Sequence, residues 1–422
     1  MYMNKTKIIA GIELGSSKIT TLAAQVASDQ ITFENSINIV GAASSESKGI
    51  KKGQIVNIEE ATEAIIASVE AAERMAGYNL DRAYISIGGG HIHSQNSHGV
   101  VAVSDPSGEI SGDDISRVIE AASAISLPQS REIIHVLPRE FVVDGEAGAK
   151  DPLGMSGIRL EVDTHIITAS NAAIKNIRKA VNEVGIEIEG LVYSGLSASE
   201  AALSATEKEL GCVLIDIGGG TTSLAVFVEG ALSYSSVIPI GAKNVTNDLA
   251  IGLRVSLESS EKIKIMLSDA QKSKKSDGDE IDLTGLDLSE VKKISKKTLI
   301  EGIIKPRLNE IFGIVRMELE KEGLGGRIPS GAIISGGGAE TAGCLESAKR
   351  TLSLPVRIGR PVGIGGLVDD IMTPAYATVV GLIMYGSKNP AGEPLTSFVK
   401  KIKLPTKGIA GKFINLIKDL LP

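Results

Sequence analysis

Tryptophan is absent from the 422 residues, which include only seven tyrosines and six phenylalanines. With few stacking platforms and a formal net charge of −7, the chain lacks the aromatic faces and the basic field that nucleic acid binding uses. Nucleic acid is not an expected partner. Only Cys212 and Cys344 are present, with no CxxC pair. That argues against a disulfide scaffold or zinc site and fits a reducing compartment. Long apolar runs are missing too: Ile8–Ile12 is cut short by Glu13, and Ala375–Gly386 covers about 12 residues, whereas a bilayer span needs about 20. A cytoplasmic chain without a membrane span is expected. His91, His93 and His98 alternate as on a strand, without the further ligands a metal site needs.

Glycine, by contrast, is in excess. Its 47 residues are about 11% of the chain, against a usual ~7%, with no collagen-like period. Length suggests two to four domains at roughly 150 residues each. Lys7–Glu13 reads as a strand, Gly15-Ser16-Ser17 as a turn and Lys18–Val26 as a second strand. Helical periodicity over Ile58–Ala76 places Ala61, Ile65, Val69, Ala72 and Met75 on one face. The block Tyr84–Asp163 reads as a small α+β insertion, with strands at Tyr84–Ile87, Gly99–Val103 and Glu140–Val143. Its one helix is at Asp113–Ser126, capped by Ser111 or Gly112. Helix Ala172–Val184 follows, stopped by Gly185.

A second strand, Cys212–Ile217, turns at Gly218-Gly219-Gly220-Thr221-Thr222 into Ser223–Val228, and Glu229-Gly230 makes a hairpin into Ala231–Ser236. Setting Glu13 over Asp216 aligns Leu14 with Ile217 and Gly15 with Gly218, so one pattern occurs twice, about 203 residues apart. Asp269–Thr298 is dense in Lys, Asp and Ser and reads as surface. A third glycine loop, Gly336-Gly337-Gly338, follows the apolar run Gly331–Ile334.

Glycine loops after strands let backbone N–H groups approach phosphate oxygens. No GxxxxGK[ST] is present, and strands rather than helices follow Gly15 and Gly220, which excludes the P-loop and the Rossmann fingerprint. Two facing hairpins would clamp phosphates, with Ser16, Ser17, Thr221 and Thr222 as hydroxyl donors. Lys18 either adds charge there or faces solvent. Glu13 and Asp216, each just before a loop, would repel phosphate unless a cation lies between. The expected ligand is therefore a nucleotide with Mg²⁺, the metal held by the two acids through water. Gly336, Gly337 and Gly338 would lie under the adenosine. Glu261 and Lys264, at i and i+3, share a helix face; they suit ribose and base, although spacing alone equally fits a solvated pair.

The segments IELGSSK, LIDIGGGTTS, SEKIK and AIISGGGAE follow the order of the phosphate, adenosine-contact and adenosine loops of the actin, Hsp70 and sugar-kinase superfamily. Within it the chain resembles the FtsA family of bacterial cell-division proteins over nearly all of Lys7–Gly386. More specific are SKGIKKGQIVNIEEA (Ser47–Ala61), HVLPREFVVDG (His135–Gly145), DPLGMSGIRLEV (Asp151–Val162) and KPRLNEI (Lys305–Ile311). The resemblance implies an α/β, two-lobed actin-like fold with an FtsA-type α+β inserted subdomain and a C-terminal amphipathic helix. Its subdomains would be 1A (1–83, 164–195 and 372–387), the inserted 1C (84–163), 2A (196–255 and 328–371) and 2B (256–327), then a linker (388–406) and the helix (407–422). The family further implies ATP-supported polymerisation, tethering of FtsZ to the membrane at the division site and contacts with other divisome proteins. Arg307 and Glu310 would bind the FtsZ C-terminal peptide; read alone, they are a plain helix ion pair.

Two departures bear on hydrolysis. Glu13 stands where most of the superfamily has Asp, and Ser197-Ala198-Ser199 stands where the bacterial actin MreB has a water-activating glutamate, with Glu200 about one turn away. ATP binding with slow or absent hydrolysis is expected, with no general base named. The rival readings are a soluble ATPase or phosphotransferase of the same superfamily and an ATP-binding pilus platform.

Residues 397–422 have six lysines against Asp419, a side-chain charge of +5, so the chain's −7 leaves −12 on residues 1–396. At ~100° per residue, Ile409, Phe413, Ile414, Leu416, Ile417, Leu420 and Leu421 fall within an arc of about 160°, with Lys412 and Lys418 outside it. After a linker bearing Pro390, Pro394 and Pro405, such a helix suits an anionic membrane surface.

Overall fold

The expected first strand forms as Thr6–Leu14, with Ile9, Ala10 and Ile12 buried. It turns into Lys18–Ser28 with Leu14 opposite Ile19, and Asn35–Glu46 continues the antiparallel meander. In this computed structural model, residues 6–28, 35–272, 278–282, 293–367 and 370–389 are described. The tail residues read as a membrane helix, from Ile409 to Leu421, lie outside them, as does all but the first two residues of the expected linker.

On the other side of Thr6–Leu14 the sheet grows in parallel by Arg82–Ile87 and Glu187–Tyr193, and Gly365–Gly366 pairs with the far edge. Here the structure departs from the sequence reading, which put Tyr84–Ile87 in the inserted block. Ala83 to Ile87 are all buried, the burial of a strand covered on both faces.

The second sheet repeats the plan. Cys212–Ile217 turns into Thr222–Val228 with Ile217 opposite Thr222, the spacing of Leu14 and Ile19, and Ala231–Ile238 follows through Glu229 and Gly230, both at positive φ. Ala332–Ser335 and Val356–Ile358 add in parallel. Counted from each first strand, both sheets have the order third, second, first, fourth, fifth, with the same strand senses. The internal duplication is thus topological, and Glu13 and Asp216 occupy the same place in it. Cys212–Ile217 also shows how the two cores meet: Cys212 and Leu214 pack into the first core, Val213, Ile215 and Ile217 into the second, as a two-residue period requires.

Helix Ile58–Ala76 starts on the Asn57 cap and stops at Gly77 in the left-handed region (φ 72°). Ala61, Ile65, Val69 and Ala72 are buried as expected, but Met75 is 54% exposed; its sulfur accepts from the Ala42 amide at 3.3 Å. Helix Ala377–Lys388 lies against the first strand and crosses helix Ser194–Ala202. A Cβ on Gly381 would stand 1.8 Å from the Ser197 carbonyl oxygen, and one on Gly11 would stand 2.9 Å from Leu382 Cβ.

A second unit comprises residues 97–125 and 140–164 among the described residues. Its strands belong to a four-stranded sheet, ordered His93–Ala102, Arg159–Ser170, Arg131–Val143, Glu146–Ala149. Its helix, Gly112–Ser123, carries a reciprocal cap between Ser111 and Asp114. The helix ends three residues before the sequence reading has it.

Gly381→Ala is expected to lower stability by about 2 kcal/mol or more, because the clash is with backbone that no rotamer change relieves. Urea unfolding checks this; an unchanged midpoint would show that the crossing is loose.

Candidate functional site

The two equivalent hairpins meet. A Cβ on Gly219 would stand 2.9 Å from Ser17 Cβ, and one on Gly220 would stand 2.9 Å from Ser16 Cβ, so glycine at both positions lets the loops touch. Around them opens a cavity of about 460 Å³. Glu13, Gly15, Ser16, Ser17 and Lys18 line it from the first hairpin, and Asp216, Gly218, Gly219 and Thr221 from the second. Glu261, Lys264, Gly336, Gly337 and Gly338, also expected, line it too. The third loop reaches it by a conformation only glycine takes: Gly336 has φ 81°, and a Cβ there would lie 2.4 Å from the Ile217 carbonyl oxygen.

Two expected residues do not line the cavity. Gly220 faces Ser16, and Thr222, fully buried, donates its hydroxyl to the Ile240 carbonyl at 2.9 Å. Thr222 is the first paired residue of its strand, so its side chain alternates away from its neighbours. Lys18 lines the cavity, but its Nζ stands 3.5 Å from the centroid of the Tyr376 ring, a cation–π contact.

Glu261 and Lys264 form more than a solvated pair. Lys264, 8% exposed, donates to Glu261 Oε2 at 2.7 Å and to Thr246 Oγ1 at 3.0 Å. Sequence reasoning missed Lys243, Ser86, Ser194 and Thr378, all on the wall. A lysine in the first turn of a helix, where the dipole disfavours cations, was the available signal for Lys243, the second residue of helix Ala242–Leu253.

The acids carry the electrostatics. Asp216 accepts from Ser335 Oγ at 2.9 Å and Thr378 Oγ1 at 3.3 Å; burial still pushes its carboxyl up to about 6. Burial pushes Glu13 up to about 7, with Lys18 opposing and Asp216 adding. Glu13 Oε2 is buried without a hydrogen-bond partner. A buried carboxylate oxygen with no donor, beside a second buried acid, is a donor set that fits a hard divalent cation such as Mg²⁺.

Glu200 does not line the cavity. Its carboxylate takes Lys208 at 2.6 Å on one oxygen and Lys388 on the other. Although burial acts upward, the two lysines hold its carboxyl below the usual range. Arg307 reaches beyond its helix partner Glu310, making a bidentate pair with Asp248 at 2.7 and 3.1 Å.

A family model described as the SHS2 domain inserted in FtsA matches residues 89–168, and one described as cell division protein FtsA matches 213–381. Cell division protein FtsA of Pseudomonas aeruginosa is 38% identical over 380 residues, 90% of this chain and 89% of that protein. The chain belongs to the FtsA family of cell division proteins. It is an actin-like cell-division protein with the FtsA-type inserted domain. Solved structures agree in fold alone. The PilM–PilN type IV pilus biogenesis complex matches at TM-score 0.63 and 16% identity, over 92% of this chain and 99% of that one. MreB5 of Spiroplasma citri bound to ADP matches at TM-score 0.52 and 13% identity, over 94% and 99%. The pilus and soluble-enzyme readings thus give way to FtsA, since the sequence identity lies there. No helix among the described residues is long and apolar enough to cross a membrane.

Both acids have folded-state pKa values above their ordinary ones of 4.5 and 3.8. Protonation therefore favours the fold, and their cost appears as pH rises through the ordinary values and is complete above about 7. Without nucleotide or divalent ions, Glu13→Gln should be more thermostable than the parent at about pH 8, and the gain should shrink toward about pH 4.5. A gain independent of pH would show that Glu13 ionises as readily in the folded protein as in the unfolded chain, its carboxyl not pushed up by burial.

Proposed function

We propose that the chain binds ATP with Mg²⁺ in this cavity, polymerises on the inner face of the cytoplasmic membrane at the division site, and tethers FtsZ there while contacting other divisome proteins. The observation that carries the nucleotide reading is the pair of touching glycine hairpins, each preceded by a buried acid, one with an orphaned oxygen. Gly15, Ser16, Ser17, Gly218, Gly219 and Thr221 would face the phosphates, Glu13 and Asp216 would hold the metal, and Glu261, Lys264 and the Gly336–Gly338 loop would take the nucleoside. The metal would supply the positive charge that lets two carboxylates stand beside phosphate. The solved MreB5 of Spiroplasma citri, alike in fold, is bound to ADP, which supports a nucleotide as the ligand. With Glu200 held by Lys208 and Lys388, the reading remains slow or absent hydrolysis.

Membrane attachment rests on the tail's seven apolar residues, each worth about 1.5–3 kcal/mol when fully buried. Lys412 and Lys418 would add attraction to anionic lipid, and polymerisation would multiply the weak single-chain anchor through avidity. The FtsZ C-terminal peptide would dock at Arg307 and Glu310.

The test is electron microscopy of the protein on an anionic lipid monolayer with Mg-ATP. Filaments or small rings are expected. A bare monolayer from a protein that binds ATP in solution would sink the scaffold reading and leave the nucleotide reading. Removing residues 407–422 should reduce sedimentation with anionic vesicles at least about tenfold; unchanged sedimentation would mean that the tail is not the anchor. Asp216→Asn should abolish retention of Mg-ATP with the fold intact, and unaltered affinity would dismiss the clamp.

A further inference from the structure

Lys243 spans the cleft. Its backbone is fixed to the second hairpin, where its amide donates to the Gly219 carbonyl at 2.8 Å and the preceding Ala242 amide donates to Gly218 at 2.9 Å. Those bonds occupy N–H groups that a helix start otherwise offers to an anion, so the side chain is left to act. Its Nζ reaches the first hairpin and donates to the Ser16 carbonyl at 2.7 Å. The residue lines the cavity and is exposed, and no described carboxylate pairs with it. A lysine in a first helical turn is opposed by the dipole, and a neutral carbonyl compensates a full charge only in part. Lys18, which lines the cavity from the first hairpin, is turned onto the Tyr376 ring.

We infer that Lys243 reads the terminal phosphate of a bound nucleotide, exchanging the Ser16 carbonyl for a phosphate oxygen and so separating triphosphate from diphosphate. This rests on the nucleotide reading above. The Ser16 carbonyl belongs to the loop that would face the phosphates, so the exchange moves Nζ only within the cavity. It replaces a neutral acceptor by a charged one, the stronger partner for an ammonium. Through the hydrogen bond that its backbone amide donates to the Gly219 carbonyl, the same residue would report phosphate occupancy at one hairpin to the other.

The test is the affinity of the full chain for a non-hydrolysable ATP analogue and for ADP, both with Mg²⁺, in the parent, Lys243→Met and Lys243→Arg. Lys243→Met should weaken the ATP analogue about tenfold and ADP less than about twofold, with Lys243→Arg restoring most of the loss. Equal losses for both nucleotides, or none, would overturn the role of Lys243 while leaving the nucleotide reading in place. A parent protein with no affinity for either nucleotide would overturn that reading and this one together. The side chain is exposed, so circular dichroism of each variant should match the parent.

Discussion

The crossing of helices Ser194–Ala202 and Ala377–Lys388 fixes everything that meets at the cavity. Gly381 lets one backbone lie on the Ser197 carbonyl of the other, at a separation that admits no side chain, and Ser197 Oγ donates across the crossing to the Thr378 carbonyl at 2.7 Å. Ala377–Lys388 also lies on the first strand through Gly11, so it locates the strand that carries Glu13. Ser194–Ala202 packs on Cys212–Ile217 and Thr222–Val228, the hairpin that carries Asp216. Thr378, one turn before Gly381, then donates its hydroxyl to Asp216 itself. A small-residue crossing thus sets where the two acids stand relative to each other.

Holding two carboxylates in one buried place is costly, and the site shows it in the upward push on both. The relief inside the protein is partial. Two hydroxyls donate to Asp216, but one oxygen of Glu13 has no donor, and the nearby Lys18 is drawn onto an aromatic face. Such an arrangement, kept by the fold's own packing, is one that a bound cation would complete.

Much of this was legible in the chain, and the reason is repetition. Strand, acid, glycine turn and strand are local in sequence, and their second occurrence turned a weak motif into a pair in equivalent places. Helix Ile58–Ala76 was equally plain from its period. What stayed hidden is non-local or depends on alternation. Ser335 and Thr378 lie 119 and 162 residues from the Asp216 they bond, and no spacing rule reaches that far. Thr222 looks like the next donor after Thr221, yet its place in the paired strand turns it to the opposite face. Tyr84–Ile87 was grouped by chain order with its neighbours, although a run buried on both faces marks a central strand.

The same geometry argues for a site that uses nucleotide to set shape rather than to turn over. Glu200, the carboxylate nearest in sequence to the position of a water-activating base, is spent on Lys208 and Lys388. Ser197 and Ser199 are spent on backbone carbonyls within the helix pair. The cavity is walled by residues from both sheets' hairpins, so a ligand that bonds both favours the arrangement in which they touch. If filament contacts select that arrangement as well, linkage requires nucleotide and polymer to strengthen each other by the same factor. Slow turnover would then prolong an assembled state, as the proposed membrane scaffold would need.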